Sequence, residues 1–248
     1  MQKSVIEGLQ TFSKYYSSPK NPEIIFELNP VTEDNYADAA ELIAHAYSKN
    51  SLFARQGLTE DKLYNEILLP IAEKVAEENT GVTCYEVEDC ELVGALFQQD
   101  LSAIIKDLSL KYKSFLRWSE LGLLFKQQEE LINNITRNKG YSFLVTGIAV
   151  NSNFRGLGLG SEMLNLCMTL HPGFKDAKYF LYHPFGKADL RSGVKAGYQE
   201  LCKKDWSQLE ELDASAKILK EIISQNKSET TPYMSLQFFE RNEEIKSH

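Results

Sequence analysis

The chain has 248 residues, of which 43% are hydrophobic and 11% aromatic, so it can bury a substantial core as one large domain or two small ones. Its formal net charge of -8 argues against nucleic acid as the main partner, because phosphate backbones select clustered Lys and Arg. No secretory leader pattern opens the sequence and no stretch has the length of a membrane span, so we expect no membrane partner.

The four cysteines, Cys84, Cys90, Cys167 and Cys202, lack the spacing of a metal or disulfide framework. They form no CxxC pair and have no His companions at the spacing of a zinc site. Unpaired cysteines are typical of a reducing compartment. The sequence therefore predicts free thiols, no metal and a cytoplasmic location.

Residues 1–22 are predicted to form an N-terminal appendage, because the turn-rich SSPKNP separates them from strand-like EIIFELNP at 23–30. The domain itself is then expected to span 23–248. Within it, VTEDNYADAAELIAHAYSK has apolar residues at helical spacing, which predicts a helix with Thr32 or Asp34 near its N-cap.

A second helix and a hairpin are predicted next. TEDKLYNEILLPIAEKVAEEN has Thr59 as its N-cap, and Pro70 is expected to kink or split this helix. GVTCYEVE and CELVGALFQQ alternate like paired antiparallel strands, with Glu88 and Asp89 in the turn. The segment that follows, about 100–140, is too long for a plain loop and predicts an insertion of one or two helices.

The C-terminal half alternates between strand and helix patterns. YSFLVTGIAV at 141–150 predicts a buried central strand, with a bulge or a close backbone approach at Gly147. SEMLNLCMTLH and KADLRSGVKAGY predict helices, the second ended by Gly197, on either side of the strand KYFLYHP. QELCKKDW and YMSLQFFE predict the last strands, with a helix at 209–225 between them. The fold class is therefore α/β (α+β).

The most informative segment, RGLGLG, lies between the predicted buried strand and the helix. Gly156, Gly158 and Gly160 follow Arg155, so freed main-chain N–H groups and a helix N-terminus converge where an anion can bind. A dinucleotide fingerprint requires glycine where Ser161 stands, and a Walker A loop requires a lysine after the last glycine. The alternative without a ligand is a tight strand-to-helix connection.

These residues match a known signature. Arg155-Gly156-Leu157-Gly158-Leu159-Gly160 fits R/Q-x-x-G-x-G/A and resembles the pyrophosphate-binding motif of the GNAT acyl-CoA N-acyltransferase superfamily. AGY at 196–198 is similar to the Gly-Phe that closes the family's next helix, and the order of elements fits over about 23–240. The resemblance implies a GNAT-like, splayed mixed β-sheet of about six to seven strands flanked by helices, with a helical insertion before the fourth strand.

The resemblance also implies a cofactor site for acetyl-CoA, with no metal or redox cofactor. The strand residues Ile148, Ala149 and Val150 would hold the pantetheine arm like an added strand and polarise the thioester carbonyl. The main-chain N–H groups from Arg155 to Ser161 would cradle the pyrophosphate; between them lie Gly156, Leu157, Gly158, Leu159 and Gly160. We expect Gly158→Asp to abolish acetyl-CoA binding without unfolding the protein.

The proton-handling groups depart from the family pattern. Gly193 occupies the place where many members carry a tyrosine acid. Ser192 beside it is the replacement candidate, although a serine on a short helix is often a solvated or backbone-bonded hydroxyl. His183 and Tyr182, at the end of the fifth strand, are candidates for the base, or His183 packs beside Pro184 and caps the strand end.

The acceptor is less well defined. The insertion resembles that of insect-type arylalkylamine N-acyltransferases, and its SFLRW and LLF groups either line an amine pocket or form the buried stripe of a helix. The acidic turn of those relatives is replaced here by residues 49–52, KNSL. We expect a monomer or homodimer that transfers an acetyl group from acetyl-CoA to a small primary amine by direct attack in a ternary complex. The alternatives are acetylation of a protein lysine or N-terminus, and a non-catalytic acyl-CoA sensor.

Overall fold

The computed structural model describes residues 13–49, 57–107, 128–137, 141–169, 174, 176–204 and 234–241. In these residues one sheet has eight strands in the order β1-β2-β3-β4-β5-β6-β8-β7. The strands are β1 Lys14–Ser18, β2 Asn21–Pro30, β3 Gly81–Glu86, β4 Leu92–Asp100, β5 Ser142–Val150, β6 Tyr179–Tyr182, β7 Gln199–Lys204 and β8 Met234–Glu240. All neighbours pair antiparallel except β5 and β6, which are parallel.

The helices lie mainly between strands. They are α1 Tyr36–Ser48, α2, which runs through Glu60–Lys62, the π-helical Leu63–Leu68 and Leu69–Glu78, α3 Leu101–Asp107, α4 Glu129–Ile135, α5 Leu159–Thr169 and α6 Lys187–Lys195. A short 3-10 turn, Ser152–Phe154, joins β5 to the glycine-rich loop. In the described part of the chain, no helix is long and apolar enough to cross a bilayer.

Strand β1 was not predicted and raises the strand count above the expected six to seven. KYYSS alternates between more and less covered positions along Lys14–Ser18, the period of a half-covered strand. The strand pairs with β2, which begins two residues before the predicted domain boundary. Residues 14–22 thus belong to the same sheet as the rest of the described chain. The division at residue 23 remains a prediction.

Two predicted caps had different outcomes. The Thr59 side chain accepts a hydrogen bond from Lys62 N, which confirms it as the N-cap of α2. For α1, the N-cap residue is Asn35, directly after Asp34, so the prediction that the N-cap lies near Thr32 or Asp34 is correct to one residue; the Asn35 Oδ1 accepts from Thr32 N instead of capping the helix. Pro70 follows the π-helical segment of α2, consistent with a ring that removes one backbone donor and disturbs the preceding turn.

The sheet separates two hydrophobic cores. On one face, α1, α2, α3 and α4 bury side chains such as Ile43, Val75 and Ile104 against Phe97 and Leu144. On the other face, α5 buries Leu159, Met163 and Cys167 among further residues of the same cluster. A strand covered on both faces has to be apolar throughout, which is why β5 reads as a nearly continuous apolar run.

The sheet opens between β5 and β6. The two strands pair only over Ser142–Leu144 and Tyr179–Leu181, whereas β5 continues to Val150 alongside β4. The second half of β5 therefore has β4 on one side and no paired strand on the other among the described residues. This opening confirms the splayed mixed sheet expected from the sequence.

The predicted insertion is partly described. Helices α3 and α4 lie within 100–140 and bury Leu101, Ile132 and Ile135 on the α1 face of the sheet. The SFLRW and LLF groups lie outside the described residues, as does the helix predicted at 209–225.

Candidate functional site

The unpaired edge of β5 presents main-chain groups at alternate residues. The amide of Asn151 donates to Val93 O at 2.8 Å, and Ala149 is paired with Ala95, so their main-chain groups face β4. Because the direction of N–H and C=O alternates along a strand, those of Ile148 and Val150 face the opening between β5 and β6. Of the three predicted strand residues, Ile148 and Val150 thus have main-chain groups at the opening, and Ala149 does not.

Side chains already contact this edge. The Ile148 N–H donates to Tyr47 Oη at 3.1 Å, and Arg155 Nε donates to Val150 O at 3.5 Å. Tyr47 comes from the last turn of α1, whereas Arg155 comes from the glycine-rich loop. The edge can therefore bind both an acceptor and a donor, which is the requirement for pairing with an extended amide ligand.

The irregularity of β5 lies beside Gly147. Phe97 pairs with Gly147 and Gln98 pairs with Val145, so Thr146 is the extra residue of a bulge, one residue from the predicted position. A Cβ at Gly147 would lie 3.2 Å from Ile43 Cδ1, tighter than ordinary contact, so the glycine lets α1 pack directly on the strand. The expected close approach is confirmed.

Backbone conformation or close packing explains why each of the three loop positions is glycine. Gly156 and Gly158 have positive φ of 80° and 94°, in a region that other residues rarely adopt. A Cβ at Gly158 would also lie 2.7 Å from Tyr16 Oη. A Cβ at Gly160 would lie 3.3 Å from Ser192 Oγ, so this glycine lets α6 approach α5.

The loop ends at the N-terminus of α5. In the described chain, the first i to i−4 bond of α5 runs from Glu162 N to Gly158 O at 3.0 Å, so the preceding amides lie ahead of the helical ladder. The Ser161 hydroxyl also donates to Gly158 O, at 2.8 Å. Leu159 is buried and anchors the turn in the α5-face core. First-turn amides ahead of the helical ladder and the helix dipole favour an anion here.

Strand β1 contacts this loop from the side. Tyr16 Oη donates to Leu157 O at 2.9 Å, and Lys14 Nζ lies 2.5 Å from Glu162 Oε1 in the first turn of α5. Burial raises the pKa of Tyr16, so its hydroxyl remains a donor at neutral pH. No motif in the sequence indicated either residue, although the alternation of KYYSS is typical of a strand.

His183 follows β6 and lies inside the protein, with 1% of its surface exposed. Its Nδ1 lies 2.7 Å from Ser235 O. A carbonyl oxygen can only accept, so Nδ1 carries a proton in this contact. The ring lies 5.4 Å from that of Phe185, which in turn lies 6.3 Å from Tyr47. Aromatic contacts thus connect His183 to the residue that binds the Ile148 amide.

Tyr182 points to the opposite side of the sheet. It is buried in the α5-face core, with its ring 5.9 Å from that of Tyr198. Phe185, the ring neighbour of His183, belongs to the other core. The structure therefore separates Tyr182 from His183, although the two are adjacent in sequence.

A side chain at position 193 would displace its neighbours. A Cβ at Gly193 would lie 1.8 Å from Gln237 Oε1 and 3.0 Å from Tyr182 Cδ1. Gln237 on β8 fills this place, and its Nε2 lies 3.4 Å from Leu190 O of α6. The neighbouring Ser192 is half-buried against Gly160. Its hydroxyl is thus at the loop end of the candidate site, on the side of the predicted pyrophosphate cradle.

Metal-binding and redox groups give no second site in the described chain. No group of three His, Cys, Asp or Glu residues could hold a metal ion there. All four cysteines are described and are free thiols; Cys90 is exposed and the other three are buried. Burial raises the pKa of Cys84 to about 12, which suppresses its nucleophilic thiolate. Residues 50–52 of the KNSL segment lie outside the described residues.

Comparison with known proteins supports the fold. No protein-family model matches the sequence, and no curated protein does either. Among solved structures, arylalkylamine N-acetyltransferase 2 of Aedes aegypti covers 88% of this chain and 99% of its own, at 16% identity and a TM-score of 0.64. A Drosophila melanogaster polyamine N-acetyltransferase that forms N-acetylagmatine covers 87% and 100%, at 15% identity and a TM-score of 0.62.

A third structure, a mosquito protein described as arylalkylamine N-acetyltransferase 7, covers 97% of this chain and 99% of its own, at 13% identity and a TM-score of 0.70. At these identities the similarity establishes the fold alone. The chain therefore has the fold of the GNAT N-acetyltransferases, as the glycine motif predicted.

Proposed function

We propose that the protein is an acyl-CoA-dependent N-acyltransferase, of EC 2.3.1 type, that transfers an acetyl group from acetyl-CoA to a small primary amine. One observation carries the proposal: the open edge of β5 runs directly into the glycine loop and the N-terminus of α5. This continuous path offers strand-like pairing groups and then an anion site, in the order in which pantetheine and pyrophosphate occur along acetyl-CoA. Two of the solved structures named above, an arylalkylamine N-acetyltransferase and a polyamine N-acetyltransferase, are enzymes of this chemical class.

The residues of this path fit acetyl-CoA. Ile148 and Val150 offer one main-chain donor and one acceptor at the opening, which suits the amides of a pantetheine arm. The amides from Gly156 to Ser161 form the cradle for the pyrophosphate. Arg155, which is exposed, places a positive charge at the junction of the two segments. No resident metal or redox group is needed for this binding mode.

Acetyl transfer requires the protein to stabilise charge on the thioester carbonyl and to position the amine. The amine nitrogen attacks the thioester carbonyl carbon, the C–S bond breaks, the amine loses a proton and CoA leaves as a thiolate. Negative charge that develops on the carbonyl oxygen has to be stabilised by a fixed donor, and we assign this role to the Ile148 N–H. Holding the amine beside the thioester in a ternary complex supplies much of the remaining acceleration.

The Tyr47 hydroxyl holds the position that the carbonyl oxygen needs. It accepts from the Ile148 N–H. A ligand carbonyl that uses this donor has to displace the hydroxyl, which then lies close to the acyl group. In the proposed mechanism the Tyr47 side chain therefore moves when acetyl-CoA binds.

His183 is the proposed base. The contact between Nδ1 and Ser235 O orients the ring, and we assign proton abstraction from the amine to the other ring nitrogen, Nε2. Its burial keeps bulk water from competing for the proton. Ser192 remains the candidate donor to the leaving thiolate, although that group leaves readily without help. Tyr182, on the other face of the sheet, is the weakest of the three proposed catalytic residues.

A small amine is the favoured acceptor. The aromatic groups of Tyr47 and Phe185 beside the opening suit the apolar part of an amine substrate. The insect relatives named above act on arylalkylamines and on a polyamine. Free thiols suit a cytoplasmic location, and we propose a monomer or homodimer, which a mass measurement in solution decides.

Isothermal titration with acetyl-CoA, beside the same titration with NADH, tests the proposal. We expect saturable binding of acetyl-CoA alone. A panel of arylalkylamines, polyamines and lysine peptides then follows, with release of the CoA thiol as the signal. The exposed Cys90 reacts with thiol reagents, so this assay uses Cys90→Ser. Absence of acetyl-CoA binding would contradict the proposal, and binding without turnover on any amine would leave the sensor function.

A further inference from the structure

We infer that β1 is part of the acetyl-CoA site, where Tyr16 orients the glycine loop and Lys14 neutralises a carboxylate beside the pyrophosphate. This inference rests on the proposed function and extends it to residues of the predicted N-terminal appendage. Both residues act as positioning residues, because they contact the loop and α5 and not the reacting atoms.

The Tyr16 hydroxyl sets the direction of one loop amide. It holds Leu157 O at 2.9 Å. The peptide that joins Leu157 to Gly158 is planar and trans, so its C=O and N–H point in opposite directions. With the carbonyl held against β1, the Gly158 N–H points away from β1 and is not used by that strand.

The loop and β1 fit each other closely. A Cβ at Gly158 would lie 2.7 Å from Tyr16 Oη, so the contact exists only because the loop has glycine there. The Tyr16 ring lies 6.3 Å from the Phe26 ring. Phe154, just before the loop, makes an edge contact with the Phe26 ring at 5.8 Å. Phe26 on β2 thereby ties the strand and the loop to one core.

Lys14 removes an electrostatic conflict. Glu162 lies in the first turn of α5, where its carboxylate favours the helix dipole but repels a bound pyrophosphate. Lys14 Nζ lies 2.5 Å from that carboxylate, and the two side chains are only 32% and 17% exposed. At this degree of burial the pair is screened less than a surface ion pair. The ion pair therefore lets both the helix and the anion keep their favourable interactions.

Removing the two charges singly and together tests the role of Lys14. Lys14→Met keeps the aliphatic stem but exposes the Glu162 charge, and acetyl-CoA binding should weaken about threefold to tenfold, the range of one partly buried ionic contact. Adding Glu162→Gln to this variant should restore the wild-type dissociation constant. Glu162→Gln alone should bind as tightly as the wild type or more tightly. A higher salt concentration should shrink the Lys14→Met effect.

A matched tyrosine pair tests the role of Tyr16. Tyr16→Phe removes only the hydroxyl and should weaken acetyl-CoA binding about threefold to tenfold, because the loop amide is no longer held in place. Tyr15→Phe, at the neighbouring position with 64% exposure, is the control and should leave binding unchanged. Thermal unfolding of each variant shows whether it is folded at the temperature of the titration.

The outcomes separate the two claims. If the wild type binds acetyl-CoA and Lys14→Met is rescued by Glu162→Gln, the inference holds, because a purely structural loss would not be restored by removing a charge. If the wild type binds but the Lys14 and Tyr16 variants bind equally well, this inference is wrong and the proposed function stands. If the wild type does not bind acetyl-CoA, both are wrong.

Discussion

The two ends of the candidate site are built in different ways. At the loop end, the main-chain amides between Gly156 and Ser161 would form the proposed binding surface, and the glycines that adopt positive φ there are visible in the sequence. At the acyl end, the Ile148 amide is contacted by Tyr47, whose position 101 residues earlier in the chain follows from packing of α1 on β5. A phosphate site made from main chain thus leaves a sequence signature, whereas an acyl site completed by distant side chains leaves little.

The largest expected effect is at the acyl end. His183→Asn keeps a donor for Ser235 O but removes the basic nitrogen, and kcat for acetyl transfer should fall about 100-fold or more, as for other general bases. Acetyl-CoA binding should be unchanged, because the loop end is untouched. Steady-state kinetics with the best amine and a titration measure the two quantities. Unchanged kcat would mean that His183 only supports the strand end.

The second largest effect is expected at the loop end, on the affinity for acetyl-CoA. Gly156→Asp adds a carboxylate beside the proposed pyrophosphate, and acetyl-CoA affinity should fall about tenfold to 100-fold. Gly156→Asn is the matched control, since Asn and Asp both tolerate positive φ and a Cβ there has nothing within 4 Å. Titration compares the two variants. Equal affinities would contradict an anion site in this loop.

This pair improves on Gly158→Asp, which the sequence suggested. Position 158 combines a positive φ of 94° with a Cβ that would lie 2.7 Å from Tyr16 Oη. Any side chain there disturbs the loop itself, so a loss of binding would not report on charge alone.

Tyr47→Phe tests whether the hydrogen bond between Tyr47 and the Ile148 amide competes with acetyl-CoA. The substitution removes the oxygen that accepts from the Ile148 N–H, and acetyl-CoA should bind about twofold to tenfold more tightly, since it no longer displaces that hydrogen bond. Tyr36→Phe on the same helix is the control and should bind normally. Weaker binding by Tyr47→Phe would show instead that the hydroxyl contacts the ligand.

Ser192→Ala is expected to have the smallest effect. Its hydroxyl lies near Gly160 at the loop end, and a thiolate leaves without much assistance, so kcat should fall less than about tenfold. Kinetics with acetyl-CoA and the chosen amine measure the change. A larger fall would make Ser192 the principal acid and connect the two ends of the site.

Much of the site could be predicted because its signals are local. The apolar run of β5, the glycine spacing and the helix that follows are all contiguous, so sequence patterns specify each of them. Strand β1 was missed because its last two residues, Ser17 and Ser18, belong to turn-rich SSPKNP, although KYYSS alternates. The sequence showed that the tyrosine acid is replaced by glycine at position 193. It did not show that the Gln237 side chain from β8 lies in that place, because this contact joins residues 44 positions apart.

The sequence by itself determined the alternation of strand and helix, the glycine loop and the fold class, because these depend on local conformational preference and on hydrophobic periodicity. Tertiary structure alone decided which groups surround that loop. It brought Tyr16 to the glycine loop and Lys14 to α5, placed Tyr47 on the β5 edge and set Tyr182 and His183 on opposite faces of the sheet. Such contacts depend on how separate elements pack, and packing complementarity between distant segments has no local sequence pattern.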